Sequence, residues 1–170
     1  MCRAGIPRLY SRGKDASKGE AMIKRYGETP KSGQHYHIRH GAYGVLLRQD
    51  QILLTWQGGI RNELQLPGGG IDPGESPVQA LHREVFEETG WSIARPRRLG
   101  AFRRFTYMPE YDKWAEKICH IYQAFPVRRL AEPTEPEHSA IWMGLQDAAT
   151  LLFNEGDAAF LSALEMAGKR

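Results

Sequence analysis

The sequence of 170 residues has only two cysteines and no long hydrophobic run. Two cysteines are too few for a disulfide framework, which favours a reducing compartment such as the cytoplasm. A membrane-spanning helix needs about 20 consecutive apolar residues, and the chain has no such segment, so we expect no membrane association. The first twenty residues also lack the apolar segment of a secretory signal. The composition, with 41% hydrophobic and 25% charged residues, is that of a globular protein.

The net charge of +3 is unevenly distributed along the chain. Residues 1–34 carry eight basic and three acidic side chains, whereas residues 35–170 carry fifteen basic and seventeen acidic ones. Because the first segment shows no apolar periodicity, we expect a flexible basic arm before a domain of residues 35–170. Such an arm solubilises a protein or contacts a polyanion or a partner subunit, for example in a homodimer. We do not expect the domain to bind nucleic acid.

Apolar segments of strand length fill most of the first two thirds of the domain. One helix interrupts them after the glycines 68–70, and two helical segments follow at the C-terminus. This order predicts a mixed α/β or α+β sandwich. The predicted strands are 36–48, 51–56, 63–67, 98–107, 117–127 and 138–143, with a loop at 108–116, and the predicted helices are 77–89, 145–154 and 157–168.

The central helix has strong signals at both ends. Ser76 is a typical N-cap, Pro77 suits the first helical position, and Gln79 completes a capping box. Gly90 suits the residue just after the last turn. The helix should face the core with an apolar stripe about 60° wide, formed by Val78, Leu81 and Val85.

Three glutamates, Glu84, Glu87 and Glu88, crowd into the last two turns of this helix, beside the apolar stripe. At these spacings the carboxylates repel one another, and Glu87 and Glu88 also lie at the negative end of the helix dipole. A divalent cation would turn both penalties into attractions. Hard cations such as Mg²⁺ take oxygen ligands, and the nearby glycines allow a backbone carbonyl to approach closely.

Two other glycine-loop motifs do not fit the residues. A phosphate-binding P-loop needs Gly-Lys-Ser/Thr at the start of the helix, but Glu75 stands where the lysine should be. A dinucleotide-binding loop needs a glycine at the sixth position of the motif, where Pro73 is found. We therefore favour a metal site over both of these.

The stretch resembles the signature of the Nudix hydrolase family, MutT-like proteins among them. That signature is Gly, five residues, Glu, seven residues, Arg-Glu, an aliphatic residue, any residue, Glu-Glu, any residue, Gly and a hydrophobic residue. The resemblance extends from about residue 38 to 165, and its one mild departure is an aromatic residue in the last position. The specified positions are filled by Gly69, Glu75, Arg83, Glu84, Val85, Glu87, Glu88, Gly90 and Trp91.

The resemblance implies a Nudix fold, an α/β/α sandwich around a mixed central sheet. It also implies hydrolysis of a nucleoside diphosphate linked to another group, with Mg²⁺ or Mn²⁺ as cofactor. A nucleoside triphosphate, a dinucleoside polyphosphate and an ADP-ribose type compound are the substrates considered. The alternative is a Nudix-fold sensor that binds a nucleotide without cleaving it; such binders are expected to lose acids of the signature, and none is lost here.

Site residues follow from the same resemblance. Glu84 and Glu88 are implied as the main catalytic carboxylates, and we favour Glu84 as the general base. Arg83 and Glu75 are implied as a salt-bridged pair that orients the helix and the loop. The implied metal ligands are the carbonyl of Gly68 and the carboxylates of Glu84, Glu87 and Glu88.

A further acid is common in the family just before the strand that precedes the C-terminal helix. Glu135 and Glu137 both occupy that region, and we favour Glu137 as an additional metal ligand. His138 is interpreted as a hydrogen-bonding loop residue.

The expected contacts to substrate come from the strand after the signature. Arg103 and Arg104 could bind a polyphosphate, although strand alternation would point one into the site and the other to solvent. Tyr107 resembles the base-stacking tyrosine of the dinucleoside-polyphosphate class, whereas Pro109 resembles the marker of the ADP-ribose class. These two markers conflict, so the substrate stays open at this point.

Overall fold

The computed structural model describes residues 23–168 of the chain. Its helices are α1 (Pro77–Thr89), α2 (Leu145–Leu151) and α3 (Glu155–Gly168), with one short 3-10 helix at Pro109–Tyr111. None of the helices within this range has the length and apolar character needed to span a bilayer. The strands are β1 (Lys24–Arg25), β2 (His37–Arg48), β3 (Gln51–Gln57), β4 (Glu63–Gln65), β5 (Gly68–Gly70), β6 (Trp91–Met108), β7 (Lys113–Arg129) and β8 (His138–Gly144).

These strands form one mixed sheet. Its main path runs in the order β1-β6-β7-β2-β3-β4, with β5 paired to β2 and β8 paired to β3. β2 runs parallel to β7 along 37–46, but it pairs with β3 only at 46–48. Along 41–43, the glycine strand β5 takes the place beside β2 that β3 has left. This arrangement brings the glycines of the signature into the middle of the sheet.

Helices cover both faces of the sheet. On one face, α1 packs Leu81 and Val85 into a cluster with residues of β2, β3, β6 and β7. On the other face, Ala148 of α2 and Leu161 of α3 join a second cluster around Phe102. Burial of these two apolar surfaces is the main force that holds the layers together. The α/β/α sandwich with a mixed central sheet is therefore confirmed.

The hairpin of β6 and β7 is longer than the sequence predicts. Pairing continues from Trp91 opposite Arg129 to Met108 opposite Lys113. The loop predicted at 108–116 is therefore shorter in the structure, where only residues 109–112, including the 3-10 helix, separate the two strands. Trp114 explains the extension, because its ring packs against Tyr107 at 5.3 Å between ring centroids and keeps the strand ends paired.

The apolar stripe of α1 differs from the prediction at one position. Leu81 and Val85 are fully buried as expected, but Val78 is 37% exposed. Ala80 is buried instead and belongs to the same cluster as Leu81. The buried face of α1 thus begins at Ala80, two residues later than the apolar pattern suggests.

Most of the predicted basic arm, residues 1–22, lies outside the described residues. Within the rest of it, Lys24–Arg25 pair with Phe102 and Arg103 of β6 as a parallel strand. The ring of Tyr26 then packs edge-on against Phe102, with ring centroids 5.6 Å apart. Residues 24–26, the described part of the segment 1–34 that these contacts involve, thus pack against the domain.

Candidate active site

The ends of α1 have the predicted caps. The side chain of Ser76 accepts a hydrogen bond from the Gln79 backbone, and the side chain of Gln79 accepts one from the Ser76 backbone. At the other end, Gly90 adopts a left-handed conformation with a φ of 73°. Both caps hold the helix in a fixed register, so that its last two turns face the glycine strand β5.

Two glycines of this region are required by close contacts. Gly68 has a φ of 142°, and a Cβ there would overlap the carbonyl oxygen of Ala42 and lie 2.6 Å from Cα of Tyr43. At Gly69, a Cβ would lie 2.5 Å from Oε2 of Glu84. The glycine at 68 therefore lets β5 approach β2, and the glycine at 69 lets the carboxylate of Glu84 lie directly against the backbone of β5.

The carboxylates of Glu84 and Glu88 are buried, with 8% and 6% of their residue surface exposed. Gly68 donates its backbone N–H to Oε2 of Glu88 over 3.0 Å. Burial nevertheless raises the pKa of Glu88 well above its usual value, and the neighbouring Glu84 and Glu135 raise it further. Burial also raises the pKa of Glu84, against the effect of the hydrogen bond from Arg83. Both carboxyls are thus in a position that disfavours their charged form unless a cation is close.

Arg83 connects the loop to the helix. Its guanidinium binds Glu75 in a bidentate manner, at 2.9 Å from Nε and 2.8 Å from Nη2, and the same Nη2 donates to the carbonyl of Gly70 over 2.9 Å. Nη1 donates to Glu84 over 2.8 Å and to Glu87 over 3.1 Å. The hydrogen bond from Arg83 lowers the pKa of Glu75, which therefore stays ionised. This is the geometry that the resemblance implies for a brace between Arg83 and Glu75.

Two groups of side chains within residues 23–168 have the spacing of metal ligands. One comprises Glu84, Glu87 and Glu135, and the other comprises Glu88, Glu135 and His138. Within each group, the potential ligand atoms lie within 4.8 Å of one another. Carboxylate oxygens in such a cluster suit Mg²⁺ or Mn²⁺, so the residues fit the cofactor that the resemblance implies.

Glu135, and not the Glu137 that the sequence favours, is the acid of the later loop that belongs to both groups. The loop is tied to α1 because the backbone N–H groups of Thr134 and Glu135 donate to the carbonyl of Glu87 over 2.8 and 3.1 Å. Glu137 has a left-handed backbone with a φ of 64°. Its carboxylate consequently turns away and lies against Gly59, where a Cβ would overlap it.

Nδ1 of His138 lies 3.1 Å from the carbonyl oxygen of Pro136, in agreement with its interpretation as a hydrogen-bonding residue, and the ring also lies beside the glutamates. Its side chain is 9% exposed, with Nε2 at 3.6 Å from Glu88 and Nδ1 at 3.3 Å from Glu135. As the first residue of β8, it is placed by the pairing of His138 with Gln57 on β3. No local sequence signal marks the contact of His138 with Glu88, because it depends on a strand pairing across 81 residues.

Of the three residues predicted to contact substrate, only Arg104 lines the cavity. Arg104 lines the cavity beside the glutamates, whereas Arg103 points from the opposite face of β6 and pairs with Glu116 at 3.3 Å. Tyr107 does not line this cavity; its hydroxyl donates to Asp112. An aromatic ring is supplied instead by Tyr111, which the sequence analysis did not select.

The cavity has a volume of about 220 Å³ and is lined by charged groups of both signs. Carboxylates of Glu84, Glu88 and Glu135 contribute to the lining, as do basic side chains from β2, β6 and β7. Such a cavity can hold cations and an anionic group together, with the anion between the cations and the basic residues.

Comparisons with known proteins agree with this geometry. The chain is 53% identical over 76 residues to an RNA pyrophosphohydrolase of Proteus mirabilis, a match that covers 42% of this chain and 43% of that protein. It is 32% identical over 127 residues to a CMP-5'-(N-acetyl-N-hydroxy-3-aminopropyl)phosphonate hydrolase of Streptomyces rubellomurinus, which covers 70% of this chain and 59% of the relative. The chain thus spans about half the length of the curated relatives it matches.

Solved structures show the same fold. A MutT protein from Bacillus halodurans superposes with a TM-score of 0.61 at 23% identity, over 73% of this chain and 80% of the other. The family model of the NUDIX domain matches residues 38–164. This range contains β2 without its first residue, β3 to β8, the three helices without the last residues of α3, and every carboxylate of the cavity. This chain belongs to the NUDIX domain family.

Proposed function

We propose that the protein is a metal-dependent pyrophosphohydrolase that cleaves a nucleoside diphosphate linked to another group, by attack of water on phosphorus. The observation that carries the proposal is the pair of ligand groups that share Glu135 and include the buried Glu84 and Glu88. Buried carboxylates of like charge oppose their own ionisation, and a structure that brings them together is well suited to a cation. The names of the two curated relatives, a pyrophosphohydrolase and a hydrolase, support the same reaction class.

The proposed cofactor is Mg²⁺ or Mn²⁺, held by Glu84, Glu87, Glu88 and Glu135. When bound there, a divalent ion would neutralise phosphate oxygens and acidify a water molecule. Gly68 lines the cavity and would add its carbonyl as a further ligand. Arg83 holds Glu84 and Glu87 in place from the side of the loop through Nη1.

Glu84 is our choice of general base. Its carboxylate lines the cavity, and burial raises its pKa, which makes it a stronger base toward a water molecule. Arg83 keeps one oxygen of Glu84 engaged at 2.8 Å, which fixes the orientation of the carboxylate. Protons taken from water would leave through the open side of the cavity.

The proposed activity has one direct consequence for the partners of the protein. A nucleotide-type small molecule is the proposed substrate. The cytoplasm as its location and a homodimer as its assembly stay predictions.

A product-release assay tests the proposed function. The full chain is incubated with a panel of nucleoside triphosphates, dinucleoside polyphosphates and ADP-ribose derivatives in Mg²⁺, in Mn²⁺ and in chelator, and the products are resolved by chromatography. We expect turnover of at least one compound that depends on the metal and falls by more than tenfold in Glu84→Gln. Glu132→Gln, which changes an exposed carboxylate, is the matched control. Binding of a nucleotide without release of any product would favour a sensor and overturn the proposal.

A further inference from the structure

The two longest strands carry most of the positive charge of the molecule. Of the 23 basic and 20 acidic residues of the chain, β6 and β7 together contain nine and one. All other residues therefore contain fourteen basic and nineteen acidic side chains. Composition alone hides this asymmetry, because residues 35–170 as a whole carry two more acidic than basic side chains. Charge of one sign that is concentrated on one part of a protein attracts partners of the opposite sign.

Part of this charge lies at the end of the β6-β7 hairpin opposite its turn, remote from the cavity of the glutamates. Arg97 on β6 is opposite Gln123, and Phe125 follows two residues later on β7. These positions lie on the side of the sheet that carries α3, because Ile121, two residues before Gln123, belongs to the apolar cluster beneath α3. Arg97 and Phe125 are nevertheless exposed. Arg104, the nearest residue of β6 that lines the cavity, is seven positions from Arg97.

Arg128 lies further along β7 on the same side of the sheet. It is paired with Ser92, whose neighbours in the chain, Trp91 and Ile93, both contact the apolar cluster of α1. Ser92 and Arg128 therefore point away from α1, and Arg128 is exposed. Since a strand advances about 3.3 Å per residue, about 10 Å of β7 separates Phe125 from Arg128.

The two arginines of this distal patch, which we define as Arg97, Phe125 and Arg128, have no acidic partner in the described part of the chain. Within residues 23–168, no carboxylate oxygen lies within 4.0 Å of either guanidinium. Arg97 donates instead to the side-chain oxygen of Gln123 over 2.9 Å, a neutral acceptor that leaves the charge in place. By contrast, Arg129 forms an ion pair with a neighbouring glutamate. The patch thus keeps two positive charges available to a partner.

Acidic side chains border the patch on one side only. Asp50, Asp147 and Glu165 line a neighbouring cavity together with Gln123, but no residue of the distal patch lines it. These acids come from the turn after β2 and from α2 and α3. Because they would repel an anion, a bound polyanion is confined to the hairpin and follows the direction of β7.

The chemistry of the distal patch suits the phosphates and bases of a polynucleotide. A planar guanidinium binds two phosphate oxygens through parallel hydrogen bonds. Phe125 is 49% exposed, and the residue opposite it on β6 is Ala94, whose small side chain leaves the ring accessible. Proteins hold single strands of nucleic acid by combining positive charge along the backbone with aromatic rings on which bases stack.

We propose that the distal patch binds single-stranded nucleic acid, with Arg97 and Arg128 on phosphates and the ring of Phe125 stacked on a base. None of the three residues lines the cavity of the proposed active site, and the binding requires neither a metal nor hydrolysis. An anionic lipid surface also offers phosphates. However, Phe125 lies within a paired strand and does not protrude as a membrane anchor would.

Fluorescence anisotropy of a labelled oligouridylate of about twelve nucleotides measures binding to the full chain. The oligonucleotide has a 5′-hydroxyl group and no pyrophosphate bond, so the result is independent of the proposed hydrolysis. Arg97→Gln, Arg128→Gln and the double variant remove charge from the patch, and Phe125→Leu removes the ring. Arg103→Gln is the matched control, because it removes one positive charge from β6 at a residue that faces the other side and pairs with Glu116. Melting temperatures of all variants report whether each is folded.

We expect the double variant to raise the Kd at least tenfold. It should also reduce the slope of log Kd against log salt concentration by about 1.4, the value for two lost phosphate contacts on a single strand. Phe125→Leu should raise the Kd at least threefold without changing this slope, and Arg103→Gln should change the Kd less than twofold.

Three results would overturn the proposal. The parent does not bind the oligonucleotide, or the double variant binds it as well as the parent, as it would through residues 1–22 alone, or Arg103→Gln has the same effect as the patch variants. Phosphatidylserine vesicles serve as the second ligand. If the parent binds the vesicles but not the oligonucleotide, and the double variant loses that binding, the patch is a membrane surface and the proposal is wrong.

Discussion

The backbone N–H of Gly68 donates a 3.0 Å hydrogen bond to Oε2 of Glu88, and this contact joins the glycine strand to the last turn of α1. Burial and the neighbouring Glu84 and Glu135 raise the pKa of this carboxyl, whereas the hydrogen bond from Gly68 lowers it. A single N–H offsets only part of such a penalty. The metal-free protein should therefore be strained at this point, and a cation should relieve the strain.

Glu88→Gln tests that strain through the melting temperature. The amide keeps the shape of the side chain but removes its charge, so the metal-free variant should melt a few degrees above the parent. Saturating Mg²⁺ or Mn²⁺ at a hundred times its Kd should stabilise the parent by about 2.7 kcal/mol, or roughly 5–11 °C for a chain of this size. In Glu88→Gln this rise should be much smaller. Glu132→Gln, which changes an exposed carboxylate, should have the melting temperature and the metal-induced rise of the parent. If metal raises the melting temperature of Glu88→Gln as much as that of the parent, the cation binds elsewhere.

Gly68→Ala tests the close approach of β5 to β2. The added Cβ would overlap the carbonyl of Ala42 in a backbone conformation that is already unfavourable for a side chain. Strain and overpacking together should cost about 2–6 kcal/mol. Gly74→Ala is the matched control, since Gly74 has a φ of 84° but open space around its Cβ position. Thermal unfolding should show a clearly larger loss for Gly68→Ala, and similar losses in both variants would contradict the close contact.

Asp157 should make the stability of the metal-free protein depend on pH. Its pKa is about 7 in the folded protein, raised by burial, and about 3.9 in an unfolded chain. The folded state thus binds more protons at this site, so the contribution of the carboxyl is complete below about pH 4 and is lost as the pH rises through about 7. The difference between the melting temperature of Asp157→Asn and that of the parent should therefore increase, in favour of the variant, as the pH rises from about 4 to about 7. Parallel curves of melting temperature against pH for the two proteins would show that the buried carboxyl does not titrate in this way.

Glu135 and Glu137 offer a direct comparison of two acids in one loop. Glu135 belongs to both ligand groups, whereas the carboxylate of Glu137 lies against Gly59. Glu135→Gln should therefore lower kcat by more than tenfold, and Glu137→Gln should leave it within about twofold. The measurement is kcat from steady-state kinetics, with the substrate that the release assay identifies. The reverse order of effects would return the role to Glu137.

The features of the site that the sequence predicts are those fixed by local spacing. Ser76, Gln79 and Gly90 are read correctly as caps because a cap depends on residues within one turn. The contacts of Arg83 with Glu75 were implied by a signature of fixed spacing within one loop and one helix. In both cases a few neighbouring residues determine the geometry.

The features that the sequence does not reveal depend on distant pairings. The choice between Glu135 and Glu137 is set by a left-handed backbone at Glu137 and by the anchoring of the loop to α1. The alignment of Arg39, Lys117 and Arg104 on one face of the sheet needs the registers of three strands at once, and a shift by one residue would turn Lys117 to the other face. Neither can be deduced from alternation within one strand.

The most direct test of whether the crowded glutamates hold a cation is a titration of the full chain with Mn²⁺. Electron paramagnetic resonance monitors binding through the loss of the free-ion signal. The parent should bind Mn²⁺, and Mg²⁺ should compete for the same site. Glu84→Gln and Glu88→Gln should each weaken binding at least tenfold, whereas Glu132→Gln should not change it. Equal Mn²⁺ affinity in all four proteins would contradict a cation site at Glu84 and Glu88, and with it the proposed mechanism of hydrolysis.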